Sequence, residues 1–341
     1  MKAIQWALVA TALGFCSSPA LAQQDFYAGK QVTMIVSSAP GGGYDAISRT
    51  VARHLPGHIS GRPIVVVQNM GGVGGIIAAN HLYNIAHKDG LTIAQFQNTV
   101  PFEPMFGNKQ ALYDPPKFNL LGTPSKETAM LIVWHTSSIK TFDDAKAREV
   151  ILSATGASST PAFYTRLLVD IFGLKVKLIS GYPGQNEQFL AMERGENEGS
   201  ASTFWSSLKT IRPQWITEHK VRLLLQYGLE PNADLKDVPF ALDLLKNKPD
   251  DYKLMEIASA PLSLGRPFAA PPDMPQDRLA ILRKGFADTF VDPDFVADCA
   301  KQGLECDAPA SGEQLQKIVS DSYAAPPAII ERLQRIYASR L

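Results

Sequence analysis

The sequence predicts an α/β protein made of two α/β lobes joined by two crossover segments. Three observations lead there. Short β-branched runs alternate with stretches of helical periodicity. Glycine-rich segments stand at the junctions where a strand gives way to a helix. The chain has 341 residues, 45% of them hydrophobic and 19% charged, enough for about two domains with full cores.

The first residues stand apart from the fold. Lys2, the mostly apolar run Trp6–Phe15 and the Ala20-Leu21-Ala22 pattern read as a secretory signal peptide over 1–22, cut after Ala22. The apolar stretch is too short to span a bilayer. Bulky Phe15 before Cys16 argues against a lipid-modified cysteine. The expected product is a soluble protein, exported across the inner membrane to the periplasm.

Val32–Val36 reads as a buried strand, and "SSAPGGGYDAISR" follows it at Ser37–Arg49. Ile47, Val51 and Leu55 then share one helix face at i, i+4, i+8, and Pro56-Gly57 ends that helix. Pro63–Val67 is a second strand. "NMGGVGG", Asn69–Gly75, opens a helix running to about Ile85, and Leu91–Ala94 is a third strand. The βαβαβ order implies a parallel sheet with right-handed crossovers.

A second block begins near Leu131–Trp134. It carries strands at Val150–Ser153 and Val176–Ile179, with helices opened by "ATGASSTPAF" and "GYPGQNE", and further extended runs at Ser200–Thr203 and Val221–Gln226. After Tyr227 prolines crowd the chain, so irregular connecting structure is expected. Helices follow at Asp277–Phe290, Phe295–Gln302, after the capping box Ser311-x-x-Gln314, and from Pro326-Pro327 to about Ala338. These C-terminal helices are expected to cover the first unit. The resulting division is 23–130 plus 226–341 for one lobe and 131–225 for the other.

Two strand–glycine–helix junctions, Pro40–Asp45 and Gly71–Gly75, fall at the carboxyl edge of one sheet, where α/β folds bind ligands. Each helix start offers unpaired N–H groups and about half a positive charge. Glycine lets an anion's oxygen approach them, so backbone anion binding is the chemistry these junctions suit. Turns with no ligand are the plainer alternative. Ser158, Ser159 and Thr160 supply hydroxyls at a helix start of the second unit, where such residues also serve as routine caps.

Other chemistries fit poorly. There is no G-x-x-x-x-G-K-[ST], Gly72-x-Gly74 has Ile77 where a dinucleotide fingerprint needs glycine, and no G-x-S-x-G elbow exists. Pro56-Gly57 between His54 and His58 forbids a helical metal face. No cofactor and no metal is therefore expected. With 33 basic and 33 acidic residues the formal charge is zero, which gives nucleic acid no handle. Cys299 and Cys306 leave two readings open, a short disulfide-closed loop in an oxidising compartment and a pair of small buried thiols.

Taken together, "APGGGYDAISR", "VVVQNMGGVGG", "KDGLTIAQF", "ALYDPPKFNLLG", "LSATGASSTPAF", "LKDVPFALDL" and the long run from "FAAPPDMPQDRL" resemble the Bug-type solute-binding proteins of tripartite tricarboxylate transporters, over nearly the whole mature chain. The resemblance implies a type II periplasmic-binding-protein fold whose lobes close on a small carboxylate. It implies ligand contacts from Ser38, Pro40, Gly41, Gly42, Gly43, Tyr44 and Asp45 in the first loop. Gly72, Val73, Gly74 and Gly75 would contribute from the second. Ser158, Ser159, Thr160, Gly184 and Ser202 would reach the acid from the other lobe.

The implied partners are an organic acid, membrane permease subunits and, in a variant role, a sensor kinase to which ligand is presented. Tyr44 departs from the family's usual small residue. "GSASTFWSSL" departs too, bringing Trp205. Both rings could stack on an aromatic acid, although aromatic side chains more often pack. Arg49 is expected to pair with Asp45 one turn earlier. The competing functions are a periplasmic enzyme using Asp45 as its base and an assembly protein with no small ligand.

Overall fold

A computed structural model describes residues 26–339 apart from 42, 156–158 and 183. The expected signal peptide and its cleavage site, and Gly42 and Ser158 of the expected site, lie outside the described residues.

The chain begins β1 (Gln31–Val36), α1 (Gly43–His54), β2 (Ile64–Asn69), α2 (Ile76–Asn84), β3 (Thr92–Gln95) and β4 (Asn119–Thr123). It then enters a second sheet through β5 (Ala129–Trp134), α3 (Phe142–Ala147), β6 (Val150–Ala154), α4 (Thr160–Phe172), β7 (Val176–Ser180), α5 (Gln185–Glu193) and β8 (Gly199–Phe204). After α6 (Trp205–Ile211) and α7 (Pro213–Thr217), β9 (Val221–Tyr227) completes that sheet. The return carries α8 (Ala241–Leu244), α9 (Pro249–Leu264), β10 (Phe268–Ala270), α10 (Gln276–Val291) and α11 (Pro293–Lys301). It closes with β11 (Ala310–Ser311), α12 (Gly312–Tyr323) and α13 (Pro327–Ala338).

The first sheet has the order β11-β4-β10-β3-β1-β2 and the second β7-β6-β8-β5-β9. Strands β1, β2 and β3 are parallel, as their βαβαβ connections require, with Val36 opposite both Asn69 and Gln95. Each sheet then gains antiparallel pairings, β11 on β4 among them. β10 comes back from the far end of the chain to lie between β3 and β4, and β5 lies between β8 and β9. Two such mixed sheets, each with helices against it, make the two-lobed α/β fold.

The helix faces read from periodicity are buried: Ile47, Val51 and Leu55 are fully enclosed, under Phe286, Phe290 and Phe295 of α10 and α11. Two expectations need correction. The proline-rich return is not irregular throughout, because it contains the sixteen-residue α9. Pro249 occupies the first turn of α9, where a missing N–H costs nothing, and Asp250 and Asp251 complement the helix start. The C-terminal helices do not all cover the first sheet. α10 and α12 pack on β4, but α13 crosses to α4 of the second lobe. There Arg166 donates to the carbonyls of Ile336 and Tyr337 at 2.9 and 3.0 Å. Arg332 bridges Asp170 of α4 and Asp251 of α9, both at 2.7 Å. Cys299 and Cys306 are joined by a disulfide across the end of α11.

Candidate functional site

Because β1 and β2 are parallel neighbours, the two glycine junctions leave the sheet at the same end. They are also fastened to each other. Asn69, the last residue of β2, donates to the Ser38 carbonyl at 3.1 Å and to Asp45 Oδ1 at 2.9 Å. Asp45 Oδ2 accepts from the Gly41 amide at 2.9 Å and from Arg49 Nε at 3.0 Å, and Arg49 also reaches Asn69 Oδ1 at 3.0 Å. The Arg49 bond, helped by Gly41 and Asn69 and opposed by burial, holds the Asp45 carboxyl down at about 2. Gly71 lies against the Ser38–Ala39 backbone so closely that a Cβ would come within 3.2 Å. Much of the glycine requirement is thus met by loop packing against loop.

This changes which amides remain for an anion. Gly41's is engaged by Asp45, and Gly75's donates to the Gly72 carbonyl at 2.9 Å. The amides of Gly72, Val73 and Gly74 donate to no described group. Ser38 turns its hydroxyl onto the Ala39 carbonyl, and Pro40, Gly41 and Gly43 are exposed at the loop's rim.

Between the lobes lies a cavity of about 290 Å3. Gly74, Gln97, Thr99 and Glu103 line it from the first lobe. Thr155, Ser159 and Thr160 line it from the second, where Ser159 and Thr160 open α4 and present the positive end of that helix. Phe106, Phe163, Tyr164 and Tyr337 form its apolar wall. Tyr337 arrives on α13, which explains why that helix is tied to the second lobe.

Gly184 and Ser202 do not line this cavity. At Gly184 the carboxylate of Glu187, one turn into α5, lies where a Cβ would approach it to 2.9 Å, so that helix start is served by its own acid. Ser202 is buried within β8, its amide donating to Ser200 Oγ at 3.3 Å.

The two aromatic departures also find partners inside the protein. The Tyr44 ring lies beneath the Arg266 guanidinium at 5.2 Å, and its hydroxyl accepts from the Asn98 amide at 3.3 Å. Trp205 is buried in the second lobe and donates from Nε1 to Asp234 at 2.9 Å. Trp205 is thus a packing residue, and Tyr44 is held in place by Arg266 and Asn98.

Sequence reasoning missed three charged residues here. Arg266 stands against Gly43, within 2.9 Å of where a Cβ would be, and 3.8 Å from Glu127. Glu127 lies on the first crossover and accepts from Ser206 of α6 at 2.6 Å; burial pushes its carboxyl up, with Arg266 and Ser206 opposing. Glu103 is the third. The signal available for it was an acid inside the apolar run "VPFEPMF"; Arg266 sat in a stretch read as irregular and gave none. Among the described residues no three His, Cys, Asp or Glu side chains gather as a metal would require.

A sequence model of the family described as "Tripartite tricarboxylate transporter family receptor" (TctC) matches residues 47–334. The chain belongs to that family. A Cupriavidus necator protein described as "UPF0065 protein in gbd 5'region" is 25% identical over 337 residues, covering 96% of this chain and 94% of its own. Among solved structures, a TctC solute-binding protein from Polaromonas superposes with a TM-score of 0.71 at 18% identity, over 90% of this chain and 99% of that one. An R. palustris protein solved with adipate gives 0.61 at 16% identity, over 90% and 97%. At these identities the structures establish the shared two-lobed fold. TctC-family proteins are solute-binding receptors, and this chain is one of them.

Proposed function

We propose that this TctC-family protein captures a small carboxylate between its lobes and delivers it to the permease subunits of a tripartite tricarboxylate-type transporter. Residues 1–22 are then its export signal and the periplasm its place of work. The observation that carries the reading is the cavity itself. Gly74, from a loop with three undonated amides, and the start of α4 at Ser159–Thr160 line it from opposite lobes. An anion there gathers donors and helix-end charge from both sides and draws the lobes together. A cavity near 300 Å3 matches a small ligand rather than a nucleotide-sized one.

The enzyme reading loses support at Asp45. A carboxylate with three donors and a pKa of about 2 is a poor general base near neutral pH.

A thermal-shift panel of mono-, di- and tricarboxylates tests the proposal. At least one acid is expected to raise the melting temperature and to be recovered unchanged; no shift with any acid, or turnover, would refute it. Gly74→Asn is the matching loop variant. Its φ of 65° suits asparagine and nothing lies within 4 Å of the new Cβ, so the fold should stand. The added side chain should weaken binding at least tenfold, by titration calorimetry.

A further inference from the structure

Besides the anion-attracting groups just described, the cavity is lined by an acid, Glu103. The whole residue is only 9% exposed. Oε2 accepts the Asn108 amide at 2.9 Å, and no cation of the described residues pairs with it. Burial raises its affinity for a proton, with Asn108 and Thr99 working against that. A buried carboxylate held by neutral donors alone, with no cation beside it, costs the fold stability. A further donor from a ligand would offset part of that cost, and Glu103 borders space that a ligand would fill.

Much of the remaining wall is rings. Phe106 packs face to face with Tyr337 at 5.3 Å between centroids and against Phe163 at 5.3 Å. Tyr164 continues the surface, its own hydroxyl spent on the Ala258 carbonyl at 2.9 Å. Such walls offer flat apolar contact and few polar partners.

Resting on the carboxylate-capture reading above, we propose that the ligand is an aromatic monocarboxylate bearing a hydroxyl or amino donor remote from its carboxylate, and that Glu103 is the specificity-determining residue that accepts from that donor. The acid's carboxylate meets Gly74 and Ser159–Thr160, its ring lies along Phe106 and Tyr337, and its donor reaches Glu103. A second carboxylate at that end would meet Glu103 in a desolvated space, where two such groups do not both stay ionised. Glu103 therefore selects against dicarboxylates as well as for donors.

Titration calorimetry with benzoate, 4-hydroxybenzoate, 4-aminobenzoate, terephthalate and adipate tests this on the full mature chain. The hydroxy or amino acid should bind at least tenfold more tightly than benzoate, and terephthalate more weakly than benzoate. Glu103→Gln should shrink both differences. If terephthalate or adipate binds the unaltered protein as tightly as the donor-bearing acids, this inference is overturned and carboxylate capture stands. If none of these acids binds, nor any member of the wider panel, both fall. The ranking on the unaltered protein decides the matter even if Glu103→Gln does not fold. A folded Glu103→Gln variant that keeps the whole ranking also overturns the role of Glu103.

Discussion

At Asp45 a single carboxylate joins the first loop to itself through Gly41, to its own helix through Arg49 and to the second loop through Asn69. Its folded pKa of about 2 lies below the ordinary aspartate value near 3.9, so the unfolded chain binds the proton more readily. The stability it adds is fully present above about pH 4 and is lost as the pH falls toward 2. Arg49 is 46% exposed, so solvent screening reduces the contribution to about 1–2 kcal/mol. Asp45→Asn should lower stability by about that amount at pH 7, with the difference from the parent vanishing near pH 2 in urea titrations. The Asp45–Arg49 pair was legible in the sequence, because residues four apart on a helix face each other. The Asn69 link spans 24 positions, and only the parallel pairing of β1 with β2 brings it into reach. Glu103 illustrates the opposite limit: its type and apolar neighbours can be seen in the sequence, but the ring-lined cavity beside it is built from five separate stretches of chain.

The glycine junctions, the helix faces and the capping box at α12 could be read locally, because each depends on residues within a turn or two. What could not be read was which segments serve a site and which serve packing. The α5 start at Gly184 has the same glycine signature as the second loop, yet Glu187 occupies its neighbourhood. The return to the first lobe was obscured by proline, whose first-turn role in α9 looks in sequence like a breaker. The disulfide closes an eight-residue loop, for which chain-entropy reasoning gives about 2.5 kcal/mol. That loop also presents Glu305 to Lys209 of α6, 3.0 Å away on the other lobe. Cys299→Ser/Cys306→Ser should therefore lower the unfolding free energy by about 2 kcal/mol in denaturant titrations. Carboxylate affinity should change less than threefold, because neither cysteine borders the cavity.

Across the whole molecule, one chain of contacts runs from the first glycine loop to the second lobe: Tyr44 under Arg266, Arg266 beside Glu127 on the crossover, and Glu127 bonded to Ser206. Glu127 is the more enclosed of the charged pair, with its side chain 6% exposed against 21% for Arg266. Removing the cation alone leaves an enclosed carboxylate unpaired, so Arg266→Met should destabilise by about 3 kcal/mol. Adding Glu127→Gln should recover most of that loss, and a double-mutant cycle on unfolding free energies measures it. The interleaved first sheet has a consequence for how the molecule comes into being. β10 separates β3 from β4, although some 170 residues of chain pass between Gln95 and Phe268. During synthesis β3 thus keeps a bare hydrogen-bonding edge until almost four-fifths of the polypeptide has emerged, and its completion is a late, topologically remote event. Refolding followed by pulsed hydrogen exchange should show amides of β6 and β7 protected before those of Ala94 and Phe96, which face β10. The unfinished edge, meanwhile, is the natural place for a holding chaperone to bind the nascent chain.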